Sequence, residues 1–341
     1  MTDNAVLPWP VPPALGIQRV HGTVKSIPDD FIVREIPNWV PTGSGEHVVL
    51  WIEKRGCNTE WVARQLARFA SVPARAVSFA GRKDRVARTW QWFSVHLPGS
   101  DVDWQAFDCE GVTLHHVERH SRKIRVGALK GNAFEITLGA LNRPIDPASV
   151  ERLRSGVPNY FGPQRFGNGS SNLKCATAIA NGRRVRKSER QLAVSAARSA
   201  LFNLLLADRV AADCWATPDA GDVVQFEGNR SVYLVDLESL DATRERASRL
   251  DLHPTGPLWG RGEMMTQGAP GSREQSVAEV HPLWASAAES AGATMARRSL
   301  RVLPANLSYA LTQDSAKLHF ELPAGAFATA LLNELLVPDD A

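Results

Sequence analysis

The chain ends in a strand and a helix that need a sheet formed by an earlier part of the sequence. Residues 318–322 (LHFEL) have the composition of a strand, Pro323-Ala-Gly325 marks a turn, and a helix follows that ends near Leu336. A single strand leaves its backbone N–H and C=O groups unpaired and is not stable alone. The first part of the chain can supply the sheet. The sequence therefore predicts that both ends share one sheet and that the middle is an insertion.

Strand patterns dominate residues 1–140. In the segment 133–138 the apolar residues Phe134, Ile136 and Leu138 alternate with polar ones, as in a strand with one buried face. Further strands are predicted at Phe31–Ile36, His47–Ile52 and Trp90–Val95. A helix is expected from Asn58 or Thr59, because four apolar residues then share one face: Val62, Leu66, Phe69 and Ala70. This part of the chain is therefore α+β.

The middle of the chain has a different character. A long helix rich in Ala and Leu is predicted over Gln191–Ala212. A chain of 341 residues also exceeds the usual size of one domain. We therefore predict one domain formed by residues 1–155 and 303–341, and an inserted domain formed by residues 156–302. The Pro-rich start, through about Pro13, is expected to form an extended arm.

The composition limits the class of protein. Lys and Arg number 39 against 36 Asp and Glu, and the resulting net charge of +3 allows a local basic surface without requiring one. The four cysteines form no CxxC pair, which indicates a reduced protein. The first residues lack the pattern of a signal peptide, and no apolar run is long enough to cross a bilayer. We expect a cytoplasmic protein that does not enter a membrane.

One carboxylate, Asp84, stands inside a dense run of cations just before the strand at Trp90. The cations within four residues of it are Arg82, Lys83, Arg85 and Arg88. Nearby positive charge favours an ionised carboxylate, which can act as a nucleophile, and the same cations could hold a phosphate backbone. A solvated turn whose charges neutralise one another is the alternative.

Three further segments combine features suited to RNA. Residues 121–134 carry four cations, then Asn132 and Phe134; cations suit phosphates, an amide a base edge and a ring a stacked base. A strand with an exposed basic face is the alternative there. Residues 156–167 form a Gly-, Pro- and aromatic-rich loop in which Arg165 could reach a phosphate or a carboxylate. A third cluster consists of Arg183, Arg184, Arg186, Lys187 and Arg190. It is either a solvated segment or a surface that grips RNA.

No motif for a metal or a cofactor is present. The order His116-Val-Glu-Arg-His120 differs from the zinc-binding H-E-x-x-H, and no cluster of Cys and His completes a site. Gly167-Asn-Gly169 lacks the rest of a dinucleotide fingerprint or a P-loop. We therefore expect neither a metal nor a cofactor.

Taken in order, these segments resemble one family, the tRNA pseudouridine synthase D (TruD) family. The resemblance covers residues 20 to 335, and the matching segments are Lys25, Asp30–Glu35, Gly56–Thr59, Gly81–Gln91, Arg122-Lys123, Gly127–Phe134, Asn159–Gly167, Ser195–Asn203 and Gly325–Thr329. It implies a mixed, mainly antiparallel catalytic sheet flanked by helices, interrupted by a family-specific α/β domain. This agrees with the strand and helix at the C-terminus.

The resemblance also assigns roles to individual residues. It implies that Asp84 is the catalytic aspartate, that Lys25 pairs with it, that Asn132 and Phe134 line the pocket for the target base, and that Phe327 belongs to a C-terminal active-site motif. The implied reaction converts uridine to pseudouridine in the D-arm of tRNA, at position 13, without a cofactor. Two other functions remain open: an RNA-binding protein without the chemistry, and a glycosidase that releases uracil.

Overall fold

The computed structural model describes residues 9–339. Its strands are β1 (Val20–Val24), β2 (Phe31–Ile36), β3 (His47–Arg55), β4 (Val77–Phe79), β5 (Arg88–His96), β6 (Val112–His120), β7 (Gly131–Gly139), β8 (Val157–Pro158), β9 (Val223–Phe226), β10 (Val232–Leu234), β11 (Leu252–Leu258), β12 (Ala296–Ser299), β13 (Arg301–Val302), β14 (Ala305–Leu311), β15 (Ala316–Pro323) and β16 (Leu336–Pro338). Its α-helices are α1 (Thr59–Phe69), α2 (Pro147–Arg152), α3 (Ser171–Ala180), α4 (Lys187–Ala211), α5 (Leu240–Ser248), α6 (Gly268–Val280), α7 (Pro282–Ser290) and α8 (Ala328–Leu335).

The two ends of the chain form one large sheet. Its main path runs β14-β15-β7-β2-β5-β3-β6, and β1, β16 and β4 are added at its margins. Only β2–β5 and β1–β16 are parallel; the other pairs are antiparallel. The C-terminal strand β15 pairs with β7, placing Phe320 opposite Phe134 and Leu322 opposite Asn132. The predicted mixed, mainly antiparallel sheet and its C-terminal strand are therefore confirmed.

Most predicted strands and helices are present and are longer than predicted. The helix expected from residue 191 begins at Lys187, and the strand expected at Trp90 begins at Arg88. Strand β6 was not predicted, because its sequence VTLHHVERH lacks a clear apolar face and most of it is exposed at the sheet edge. Its histidines thus lie on a strand, where His116 and His120 are not one helical turn apart.

The middle of the chain forms its own smaller sheet. Strands β10-β9-β11-β12 pair in an antiparallel four-stranded sheet, and α3, α4 and α7 share one buried core with residues of the connecting segments. The short strands β8 and β13, where the chain enters and leaves this region, pair with each other. If residues 156–302 are an insertion, the chain must enter and leave them at neighbouring points, as it does at β8 and β13. The division into domains stays a prediction.

The part of the arm that the structure describes packs onto helix α8. Val11 is buried, and its carbonyl oxygen accepts a hydrogen bond from Asn333 Nδ2 at 3.0 Å. The backbone N–H groups of Ala14 and Leu15 donate to the Glu334 carboxylate. Burial raises the pKa of Glu334. The rest of the predicted arm, residues 1–8, lies outside the described residues.

A buried asparagine ties helix α4 to the loop that follows β8. Asn203 accepts from the N–H of Phe161 and donates to its carbonyl oxygen, both at 2.9 Å. The amide thus satisfies both backbone groups of one buried residue. Because this loop continues into the aromatic wall of the cleft described below, the pair couples the middle region to that cleft.

We expect Asn203→Ala to lower the free energy of unfolding by about 2–4 kcal/mol, since it leaves a buried N–H and a buried C=O without partners. Urea unfolding followed by fluorescence measures the change. Asn168→Ala serves as the control, because Asn168 is exposed and a surface substitution changes stability by about 0.5 kcal/mol at most. Equal stability of the two variants would contradict the role of Asn203.

Candidate active site

Asp84 lies on the loop between β4 and β5, and a buried lysine fixes the backbone of that loop. Alternation along β3 turns Leu50, Ile52 and Lys54 toward the core, so the Lys54 side chain is fully buried. Its Nζ donates to the carbonyl oxygens of Asp84 and Cys57, both at 2.8 Å. Burial lowers the pKa of Lys54 to about 8. The ammonium therefore joins the Asp84 loop to the start of α1.

The carboxylate of Asp84 pairs with Lys25, as the resemblance implied. Lys25 Nζ lies 2.6 Å from Asp84 Oδ2, and both side chains are partly exposed. The same Nζ lies 3.9 Å from the centre of the Phe31 ring, where a cation is attracted to the aromatic face. Lys25 has a φ of 63°, a left-handed conformation that costs about 1–2 kcal/mol outside glycine. The surrounding structure therefore holds a strained backbone at this ion pair.

The cation next to Asp84 in sequence points into the protein. Lys83 Nζ lies 2.5 Å from Glu35 Oε1, and the two side chains are 8% and 1% exposed. Glu35 Oε2 also accepts from the backbone N–H of Trp92. Lys83 is thus a buried anchor of the loop and does not form an ion pair with Asp84.

The remaining cations of the run are also engaged elsewhere. Arg82 pairs with Glu60, Arg85 donates to the Gly56 carbonyl, and Arg88 pairs with Glu53. The sequence alone does not tell which of these neighbours face Asp84, and within residues 9–339 none of them forms an ion pair with it. Residues close in sequence on a tight loop point in different directions, whereas Lys25 approaches from the end of β1.

Aromatic rings form two walls beside Asp84. Phe31 and Phe134 meet edge to face at 6.3 Å, and Phe134 stacks on Phe320 at 5.3 Å between ring centres. Phe327, at the start of α8, meets Phe161 at 5.8 Å. A Cβ on Gly162 would lie 2.5 Å from Thr329 Oγ1, so only glycine lets this loop approach α8 so closely.

These walls and the Asp84 loop enclose a cavity of about 180 Å³. Its volume is far above the roughly 10–15 Å³ that a single water needs. Among the side chains that line it are Asp84, Asn132, Phe134, Gln164, Phe327 and Thr329. In the described part of the chain, Asn132 Oδ1 and Thr329 Oγ1 are buried without a hydrogen-bond partner. Two polar atoms are therefore available to a ligand.

The structure brings four predicted site residues together with Asp84 and sets one apart. Asp84, Asn132, Phe134 and Phe327 line the cavity, and Lys25 contacts Asp84. Arg165 does not line it; its Nη1 donates to Ser195 Oγ at 3.0 Å. Its Cζ lies 5.5 Å from the centre of the Phe327 ring. Its predicted contact with substrate stays a prediction.

Sequence reasoning left several side chains of the site unassigned, among them Gln164, Thr329 and Lys54. Gln164 lies inside the segment 156–167 but was not singled out, and nothing in its local pattern distinguishes it. Lys54 had a usable signal, because it shares the apolar face of its strand with Leu50 and Ile52. A lysine on a buried face requires a partner, and here the partners are two carbonyl oxygens.

The described residues, 9–339, form neither a cluster of metal ligands nor a helix that could span a membrane. No three His, Cys, Asp or Glu side chains in that part of the chain are grouped so as to hold a metal ion. None of its helices is both long and apolar enough to span a membrane. The four cysteines are unpaired.

Comparison with known proteins identifies the family. A family model described as tRNA pseudouridine synthase D (TruD) matches residues 14–184 and 177–335. A tRNA pseudouridine synthase D from Pseudoalteromonas atlantica is 42% identical over 328 residues, which cover 92% of each protein. Another, from Ectopseudomonas mendocina, is 43% identical over 332 residues, which cover 93% of this chain and 94% of the relative.

A solved structure shares the fold. The crystal structure of a candidate tRNA pseudouridine synthase D from Methanosarcina mazei superposes with a TM-score of 0.73 at 20% identity and covers 95% of both chains. Fold and sequence together place the chain among the RNA-modifying isomerases. It belongs to the tRNA pseudouridine synthase D (TruD) family, whose reaction converts uridine in tRNA to pseudouridine.

Lys54 gives a test of the site that does not require substrate. Its pKa is about 8 in the folded protein, against 10.5 for an unperturbed lysine, so the unfolded chain binds more protons between these values. The free energy of unfolding should therefore rise with pH across this window, by up to about 3 kcal/mol. Urea unfolding at pH 7 and pH 10 should show this rise in the wild type and its loss in Lys54→Met.

The control is Lys174→Met, which removes an exposed lysine and should keep the pH dependence of the wild type. Stability curves for wild type and Lys54→Met that stay parallel from pH 7 to pH 10 would contradict a buried, cationic Lys54.

Proposed function

We propose that Asp84 is the nucleophile of this tRNA uridine isomerase, and that the target base is flipped into the cavity beside it. The observation that supports this is geometric: among the described residues that line the cavity, Asp84 is the only carboxylate. The Lys25 ammonium lies 2.6 Å from the carboxylate, and the Lys54 hydrogen bond holds its backbone. A charged, positioned carboxylate suits nucleophilic catalysis.

The reaction is balanced without an oxidant, a reductant or water. The N1–C1′ bond of uridine breaks, the base turns, and a C5–C1′ bond forms; C5 loses a proton and N1 gains one. Asp84 could attack C1′, remove a sugar proton so that a glycal forms, or add to C6 of the base. In the first route the glycosyl ester must be shielded from water, because hydrolysis would release uracil. The walls formed by Phe134 and Phe327 would supply that shielding.

The cavity also offers groups for holding a flipped uracil. Phe134 and Phe327 present ring faces or edges for stacking, and Asn132 Oδ1 is a free buried acceptor that the N3–H of uracil could satisfy. Flipping costs about a few kcal/mol, which these contacts would offset. Since a base edge satisfies an otherwise unpaired oxygen, we assign Asn132 to base placement.

Two exposed basic clusters would bind the rest of the tRNA. Arg122, Lys123 and Arg125 lie on the loop between β6 and β7. They are thus not on a strand with an exposed basic face, which was the alternative for this segment. The second cluster, at the start of α4, consists of Arg183, Arg184, Arg186, Lys187 and Arg190; none of the five forms an ion pair within residues 9–339. Free cations of this kind suit phosphates. The D-arm, position 13 and a cytoplasmic location rest on the family resemblance.

We expect Asp84→Asn to form no pseudouridine and still to bind tRNA, because it removes one charge and leaves the basic clusters intact. Mass spectrometry of the tRNA measures the product, and filter binding measures affinity. The control, Asp241→Asn, changes an exposed carboxylate of α5 and should retain wild-type activity. Substantial product from Asp84→Asn would reject the nucleophile.

We expect Asn132→Ala to lower kcat/KM by about tenfold, the equivalent of one hydrogen bond to the base, with little change in stability. Initial rates on tRNA measure kcat/KM. An unchanged rate would remove Asn132 from the base pocket.

One incubation distinguishes the proposed function from its alternatives. Unmodified tRNA is incubated with the protein, pseudouridine is mapped by sequence position, and free uracil is assayed in the same sample. Pseudouridine at position 13 supports the proposal, free uracil indicates a glycosidase, and binding without either product indicates an RNA-binding protein.

A further inference from the structure

Two arginines beside the aromatic wall of the Asp84 cavity form no ion pair with a carboxylate within residues 9–339. Arg298, on β12, places its Cζ 4.1 Å from the centre of the Phe161 ring. Arg165, in the turn after that ring, places its Cζ 5.3 Å from the same centre and 5.5 Å from that of Phe327. Both guanidinium groups therefore lie against the aromatic wall that continues into the cavity.

Two other inward-facing arginines are compensated by carboxylates, whereas the buried Arg301 donates to His253 and to backbone carbonyl oxygens. Arg209 binds Asp222 through two hydrogen bonds, and Arg297 binds Glu274 in the same way. In both cases a buried carboxylate compensates the charge. Arg298, the next residue in the chain, instead donates to the side-chain amide oxygen and to the backbone carbonyl oxygen of Asn159. No carboxylate within residues 9–339 forms an ion pair with it.

Burial without a carboxylate partner affects the pKa of both arginines. Burial and the nearby Arg165 lower the pKa of Arg298 to about 9. Burial also lowers the pKa of Arg165, whose Nε is buried without a hydrogen-bond partner. Two buried cations that lie against the same aromatic wall repel each other, and this lowers the stability of the protein unless an anion binds to them.

The Nη1 group of Arg298 lies near a residue that lines the cavity. Its Nε and Nη2 are occupied by Asn159, whereas Nη1 has no hydrogen-bond partner in the described part of the chain. Nη1 would lie 3.6 Å from a Cβ on Gly325, and Gly325 lines the cavity. An anion on the rim beside Gly325 would thus be within reach of this group.

We propose that Arg298, supported by Arg165, binds a phosphodiester of the RNA backbone adjacent to the nucleotide that enters the cavity. The proposal rests on the proposed function. A flipped nucleotide turns about its two flanking phosphates, so a fixed cation at one of them would hold the backbone while the base turns. Phosphate is also the anion that the planar guanidinium group matches best. A structural role, in which Arg298 only joins Asn159 to Phe161, is the competing explanation.

Phosphate ethylation interference tests the contact without requiring turnover. End-labelled tRNA carrying about one ethylated phosphate per molecule is bound to protein, and the bound and free fractions are sequenced. With wild type, ethylation of a phosphate flanking the target uridine should block binding. With Arg298→Gln that interference should disappear, while interference at other phosphates persists. Identical patterns for the two proteins would overturn the proposal.

Affinity gives a second readout. Arg298→Gln should weaken Kd by about tenfold and reduce the slope of log K against log salt by about 0.7–0.9, as expected for one lost phosphate contact. Arg298→Lys should keep the slope, because it keeps the charge. A purely structural role predicts loss of stability with an unchanged slope. The matched control is Arg230→Gln, an exposed arginine on the turn between β9 and β10.

Pseudouridine is mapped on the same tRNA, so the two proposals can fail separately. Pseudouridine formation with an unchanged interference pattern would reject the Arg298 contact alone. A changed pattern without pseudouridine would reject the isomerase function and keep a phosphate contact by Arg298. Interference lost only at phosphates remote from the modified uridine would reject the proposed position of the contact.

Discussion

Backbone pairing along β7 is the interaction on which the rest of the active site depends. One edge of β7 pairs with β2 and β1 from the start of the chain, and the other edge pairs with β15 from its end. These ladders bring Asn132 and Phe134, on β7 itself, beside the turn and helix that follow β15. Phe327 therefore reaches the cavity only because β15 is held in register. A middle region of well over a hundred residues can be accommodated, since loop-closure entropy grows slowly with length.

Charge compensation separates the cations into two groups. Lys83, Arg82 and Arg88 pair with carboxylates of β2, α1 and β3 and stabilise the loop that carries Asp84. Among the cations without such partners, Arg165 and Arg298 lie against the Phe161 ring, and the five of the second basic cluster are exposed at the start of α4. Exposed ion pairs contribute little to stability, about 0–1 kcal/mol each, whereas free cations contribute strongly to RNA affinity. The net charge of +3 conceals this arrangement, because pairing, and not the total, determines which charges are available.

The sequence predicted those elements whose patterns are local. The alternation in residues 133–138 and the helical spacing from Thr59 gave β7 and α1 nearly to the residue. Strand β6 was missed, because an edge strand exposed to water carries little apolar periodicity; β1 was missed as well, since its short sequence VHGTV contains only two large apolar residues. The partner of Asp84 followed from family resemblance and not from local charge: Lys25 lies 59 residues away in sequence. Local charge density could not select among the neighbouring cations, since it contains no information on the direction of side chains.

The content of the cavity restricts how the C5 proton of the base can leave. Among the described lining residues, the ionisable side chains are Arg82, Lys83 and Asp84, and both cations are held by glutamates. Phe134 also lines the cavity, and a phenyl ring cannot accept a proton. Under the proposed function, removal of the proton falls to Asp84 or to a water molecule. If Asp84 first bonds to the nucleotide, it regains a free carboxylate when the C5–C1′ bond has formed, at the step where a base is needed. One carboxylate, paired with Lys25 and fixed through its backbone by Lys54, would then serve in both steps of the proposed reaction.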